Sequence, residues 1–178
     1  DAKKKIKTRK TPFASFYANL AVFEGYYEKK WFPYTMPISD IYGLRAAFDN
    51  IAADKDLYAR HKRIGAAARA ALCEGGLRLH LDSGFSDTGT VLDVPRGVTA
   101  DAILKRMKDR HGILLAGSFD ELAGKVIRIG HMGTNATFEN MLATMEALSE
   151  TLTHFGVPLA GNLADLFLKH YRFVIEQL

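Results

Sequence analysis

Apolar and polar positions change period several times along this 178-residue chain, and each change marks an element. Between Ser15 and Lys30, Phe16, Leu20, Phe23 and Tyr27 recur at helical spacing with polar residues between them, which predicts a helix. Pro33 and Pro37 in "WFPYTMP" then forbid a helix and hold an aromatic-rich strap extended. From Ser39, a cap, to the Gly75–Gly76 pair, the residues Ile41, Leu44, Phe48, Ile51, Leu57, Ile64, Ala68 and Leu72 form the apolar side of one long helix or two consecutive ones.

The period then shortens to two. "LRLHL" at 77–81 and "TVLDV" at 90–94 read as strands around the turn-rich loop "DSGFSDTG". Thr99 caps a helix that turns Ile103, Leu104 and Met107 inward and closes at Gly112. "ILLAG" at 113–117 and "KVIRIG" at 125–130 are two more strands, separated by "SFDELA". The strongest helix starts near Thr137 and carries Phe138, Met141, Leu142, Met145, Leu148, Leu152 and Phe155 on one stripe, with Gly156 and Pro158 stopping it and an amphipathic stretch at 160–177 beyond. Because each helix shows a single apolar stripe, the economical architecture is α+β: a small, mostly antiparallel sheet with helices packed on one face.

Composition narrows the class. Apolar residues are 48% and charged ones 25% of the chain, an ordinary globular balance. No apolar run approaches the roughly 18 residues of a membrane span, and no leader pattern is present. A cytoplasmic protein with no membrane partner is the expectation. Cys73 has no second cysteine to pair with and reads as a small buried filler in a reducing compartment. The net charge is +4, but six of the 24 basic residues crowd into "DAKKKIKTRK", so this reads as a solvated end and no nucleic-acid partner is expected. The start at Asp1 without methionine suggests a piece of a longer protein. The six histidines show no HxxxH or HExxH spacing, so no metal site is expected. His131 either borders a pocket or packs in the core, and Thr137 of "NAT" is a helix cap before it is part of a glycosylation acceptor.

One residue does not suit its strand. In "KVIRIG" the alternation sets Val126, Arg128 and Gly130 against Ile127 and Ile129, and a guanidinium on a covered face needs an anionic partner. An internal acid such as Asp120 or Glu121 would serve, or an edge position in solvent would remove the need. Otherwise Arg128 waits for the carboxylate of a small substrate, with Gly130 and Gly133 letting backbone come close to it. Spacing leaves these alternatives open.

"GKVIRIGHMGTNATFENMLATMEALSETL", preceded in order by "SFYANL", "PYTMPISDIYGLRAAFDNI", "LYARHKRIGAAARAAL" and "TVLDVPRGV", resembles the closing part of class V pyridoxal-phosphate aminotransferases of the alanine-glyoxylate and serine-glyoxylate type. The resemblance covers residues 11 to about 153. It implies the C-terminal small domain of a fold type I transferase preceded by the end of the large domain. Residues 1–30 would then close the large cofactor domain and connect it, 31–156 would form the small domain, and 157–178 a helical extension. It further implies a homodimer, pyridoxal 5'-phosphate as cofactor, and a small amino acid and a 2-oxo acid as substrates. Arg128 would bind the substrate carboxylate, and Thr35 would reach the cofactor phosphate of the neighbouring subunit. The lysine, aspartate and ring-stacking aromatic that hold the cofactor in this family would lie upstream of Asp1. Phe32 stands where alanine-glyoxylate members have a tyrosine, with Tyr34 as a conceivable substitute, and Ser118 replaces the second glycine of a usual pair with Gly117. The rival readings are a lyase or desulfurase on the same scaffold, which would need a cysteine in an active-site loop, and a non-catalytic dimerisation or interaction module.

Overall fold

The computed structural model describes residues 1–176, so the last position of the amphipathic stretch expected at 160–177 lies outside the described residues. The chain divides into two compact units, Asp1–Ala53 and Asp54–Leu178. Among the described residues, no helix is long and apolar enough to cross a membrane.

The first unit contains α1 (Ala2–Thr8), a single turn of 3₁₀-helix at Leu20–Phe23, and α2 (Ile38–Ala53). A full helix at 15–30 does not form. Gly25 takes a left-handed φ of +70°, and the aromatic residues converge in space instead of lining up on a stripe. Phe23 meets Phe32 and Tyr34 edge-on with ring centroids 5.7 and 5.5 Å away. The expected apolar side of α2 is not covered within its unit: Ile41, Leu44, Phe48 and Ile51 are all exposed.

The second unit opens with α3 (Leu57–Glu74), so the long predicted helix is two consecutive ones. Asp54 interrupts it, its carboxylate accepting from the Asp56 N–H at 3.2 Å and gripped by both terminal nitrogens of Arg60 at 3.1 and 2.6 Å. The Arg60 fork holds the Asp54 carboxyl below the usual carboxylate range. Arg60 Nε reaches across to the Ala136 carbonyl at 2.9 Å, tying the start of α3 to the chain just ahead of the Thr137 cap.

Two antiparallel strands follow, β1 (Gly89–Asp93) and β2 (Val126–Gly130), in the register Gly89↔Gly130, Val91↔Arg128, Asp93↔Val126. The other two expected strands shrink to single bridges, Leu79 to Leu92 and Ala116 to Arg128. Their leading amides are committed elsewhere. Leu77 N–H closes onto the Leu72 carbonyl at 2.9 Å and Ile113 N–H onto the Met107 carbonyl at 3.1 Å, so each segment leaves a helix end and touches the ladder only briefly.

Helix α4 (Ala100–His111) is capped by the Thr99 hydroxyl, which accepts from the Ala102 N–H at 3.2 Å, and ends at Gly112 with φ +68°. Helix α5 (Phe138–His154) starts at Thr137, whose hydroxyl accepts from the Asn140 N–H at 3.1 Å. Helix α6 is Leu163–Glu176. Helices α3 and α4 pack against the sheet, whose core face shows Thr90, Leu92, Ile127 and Ile129, and α5 and α6 pack on those helices and on each other, so Ile64, Leu72, Ile103, Met107, Met145, Leu148, Leu152 and Phe167 form one core. This is the α+β arrangement with helices on one side. Cys73 is exposed and is not the buried filler that its alanine neighbours suggested. Each helical residue turns the side chain by about 100° from its predecessor, and with Leu72 buried the next position swings outward.

Gly65 sits inside α3, where glycine ordinarily weakens a helix. A Cβ there would lie 3.1 Å from His131 Cε1 and 3.0 Å from Arg69 Nη1, so the glycine admits the imidazole. Gly65→Ala is therefore expected to destabilise the protein by about 1–3 kcal/mol in urea unfolding, despite alanine's better helix propensity. Unchanged or increased stability would show that the contact is slack.

Candidate active site

Arg128 occupies the third position of β2, and its main chain is paired on both sides. Its N–H donates to the Ala116 carbonyl at 2.7 Å and its carbonyl accepts from the Ala116 N–H at 3.1 Å, while Val91 of β1 stands opposite. Its neighbours Ile127 and Ile129 point into the core, each 1% exposed, so alternation sends Arg128 to the other face. That face is open at Arg128 and Gly130, although Val126 at the strand's start is buried. Arg128 is exposed, as the solvent alternative had it, and is not the covered charge of the carboxylate reading.

The guanidinium is held nonetheless. Nε donates to the Gly117 carbonyl at 2.7 Å. Among the described residues no carboxylate lies within 4.0 Å of it, and Nη1 and Nη2 make no hydrogen bond. Asp120 and Glu121, in a short 3₁₀ turn at Asp120–Leu122, do not pair with it. Of the alternatives open in the sequence, the internal ion pair is absent among the described residues; β2 is one of two ladder strands, bridged on its outer side at Ala116, and Arg128 stands in solvent there. What remains is a cation fixed at one nitrogen and presenting its two outer ones.

The segment following β2 is locked from below. His131 is fully buried, with Nδ1 3.1 Å from the Asp87 carbonyl and Nε2 2.9 Å from the Thr90 hydroxyl. A carbonyl only accepts, so Nδ1 carries the proton and Nε2 accepts from Thr90. His61 does the same one step along: its Nδ1 meets the Leu57 carbonyl at 2.6 Å and its Nε2 accepts from the Gly133 N–H at 3.2 Å. His131 is thus a packed residue and not a pocket border. Neither histidine's role was visible in spacing, since their partners are mostly backbone groups, one of them 72 residues away, together with the Thr90 hydroxyl.

Thr35 belongs to the first unit, so the two residues singled out in the sequence lie in separate bodies. Its side chain is exposed and makes no hydrogen bond among the described residues. Tyr34 is engaged internally, its hydroxyl donating to the Phe16 carbonyl at 2.7 Å, and Phe32 is half-buried in the aromatic cluster. Ser118 is half-exposed beside Gly117. The Gly117 carbonyl is the participant that sequence reasoning missed, for a main-chain oxygen leaves no signature in residue identity.

Known proteins carry the same fold. Over 153 residues the chain is 33% identical to the L-aspartate–glyoxylate aminotransferase of Paracoccus denitrificans, a match covering 82% of this chain and 38% of that protein. It is 32% identical over 149 residues to the serine–glyoxylate aminotransferase of Arabidopsis thaliana, covering 79% and 37%. The crystal structure of the ureidoglycine–glyoxylate aminotransferase of Bacillus subtilis superposes with a TM-score of 0.84 at 28% identity, over 96% of this chain and 45% of that one. No protein-family model matches the chain. The chain belongs to the class V pyridoxal-phosphate-dependent aminotransferase family, and it spans 37% to 38% of the length of the two relatives described.

Burial pushes the His131 imidazole below its ordinary value, and the nearby Arg69 charge adds to this. The unfolded chain takes up a proton at about pH 6.5 that the folded chain refuses, so stability falls as pH drops through that value and levels off below the folded pKa. His131→Asn, which keeps a donor for the Asp87 carbonyl, is expected to flatten the melting-temperature profile between about pH 7 and 5. Parallel profiles for the two proteins would contradict the assignment of a neutral, buried imidazole.

Proposed function

We propose that the protein moves an amino group between a small amino acid of the alanine or serine type and a 2-oxo acid of the glyoxylate or pyruvate type, with Arg128 anchoring the carboxylate that both substrates share. The observation that carries this reading is the half-satisfied guanidinium: Nε bonded to Gly117 at 2.7 Å, the other two nitrogens without a partner among the described residues and the side chain exposed. A planar fork with two free donors suits a carboxylate bidentately. Relatives of the chain are named for serine or alanine as donor and glyoxylate as the 2-oxo acid, which supports this reading.

The cofactor reading is tested by Thr35. An exposed hydroxyl without a partner among the described residues, on the irregular segment between Pro33 and Pro37, fits one donor to a phosphate oxygen. We assign Thr35 that contact in the pyridoxal-phosphate site of a neighbouring subunit. When bound, the cofactor supplies the electron sink for the reaction. This chain's own residues bind and orient: Thr35 the phosphate and Arg128 the substrate acid. Residues 31–156 are then the small domain of a homodimeric enzyme, and the uncovered apolar stripe on α2 supports burial against further protein. An exposed free thiol at Cys73 is in keeping with the reducing cytoplasm.

In the protein at its full natural length, Arg128→Ala is expected to raise KM for both alanine and glyoxylate by about 30-fold or more, roughly 2 kcal/mol. Arg128→Lys recovers part of the loss, because a point charge replaces the fork. Steady-state kinetics unchanged by Arg128→Ala would remove the site assignment.

A further inference from the structure

We infer that the main-chain carbonyl of Gly117 is a positioning group for Arg128, fixing the guanidinium so that a carboxylate meets it end-on through Nη1 and Nη2. The inference rests on the reading of Arg128 as the carboxylate anchor. A guanidinium offers two outward bidentate edges that include Nε or avoid it, one side-on through Nε and a terminal nitrogen, the other end-on through both terminal nitrogens. The 2.7 Å bond from Nε to Gly117 occupies the first edge. Only the end-on edge stays fully free. The same bond limits the rotamers of a long side chain that stands in solvent, so less freedom is lost when the acid arrives.

The carbonyl is itself well placed. Ala116 exchanges both main-chain hydrogen bonds with Arg128, at 2.7 and 3.1 Å, which sets the next peptide beside the arginine side chain. Beneath the loop lies Leu104 of α4, partly buried against the core. A Cβ at position 117 would stand 3.3 Å from Leu104 Cδ1, and no left-handed φ requires a glycine there. Glycine at 117 therefore serves space and not backbone conformation. With Leu104 backed by core residues, a methyl group at 117 shifts the loop more readily than the helix, and the carbonyl moves with it.

The test is a four-protein cycle in the full-length holoenzyme: the natural protein, Gly117→Ala, Leu104→Ala and the double variant. KM for alanine and glyoxylate, kcat, and the inhibition constant of propionate, a bare carboxylate probe, are measured for each. Gly117→Ala is expected to raise KM and the propionate constant by about 3- to 10-fold while kcat stays within about twofold, since a displacement of a few tenths of an ångström costs less than the hundredfold of a 1 Å misplacement. Leu104→Ala alone leaves both constants nearly unchanged, and the double variant returns them toward the natural values because the methyl then has room. Should Gly117→Ala fail to fold, Leu104→Phe presses on the same peptide from the helix side and is expected to raise the propionate constant likewise. Constants unmoved by the bulkier residue, or raised but not restored in the double variant, would overturn the positioning role. If Arg128→Ala weakens propionate while Gly117→Ala does not, only this inference falls; if Arg128→Ala also has no effect, the anchor reading falls first.

Discussion

A guanidinium cannot shed its charge, and among the described residues Arg128 has one of its nitrogens, Nε, satisfied by its own chain. The rest of the second unit follows from where that residue is put. The helical layer takes one face of a narrow sheet, so every second residue of β2 enters the core and the alternate ones face away from it, apart from Val126 at the strand's start. Ile127 and Ile129 fix the strand in place by burial. Ala116 and Val91 flank it on either side, so the arginine rises from a rigid, doubly paired backbone and not from a loose loop.

The same economy explains the two buried histidines. The loop after β2 and the loop before β1 meet beside α3, and both must satisfy main-chain groups away from water. His131 and His61 each act as a neutral linker, giving a proton to one carbonyl and accepting from a second group. Gly65 makes room for the first of them, and the Arg60–Asp54 pair steadies the approach to α5 by way of the Ala136 carbonyl. These are interior struts for the segment that follows Arg128. No metal-like spacing was required to find histidines busy here.

Helix ends were legible in the sequence because they are local: Thr99, Gly112 and Thr137 cap and close where their neighbours said they would. The strands at 77–81 and 113–117 were only half legible, since alternation shows which face a residue prefers but not that its amide is already bonded to a helix end. The helix at 15–30 failed for a tertiary reason, the rings of Tyr26, Phe32 and Tyr34 from beyond Gly25 gathering around Phe23. Arg128 was found by its mismatch with its strand. Its exposure was not, because alternation cannot tell a covered face from an open one. The face carrying Ile41, Leu44, Phe48 and Ile51 was correctly read as apolar, yet nothing within its own unit buries it. A desulfurase-like reading gains nothing from the geometry: Cys73 stands on helix α3, in the second unit's outer surface, and not in a loop beside Arg128.

The most direct test of Arg128 as the waiting half of an ion pair is a crystal structure of the full-length protein with pyridoxal phosphate and a 2-oxo acid bound. Both carboxylate oxygens are expected at about 2.7–2.9 Å from Arg128 Nη1 and Nη2, the separation of a charge-assisted pair. A substrate acid held by some other cation, with the Arg128 fork still facing water, would contradict it.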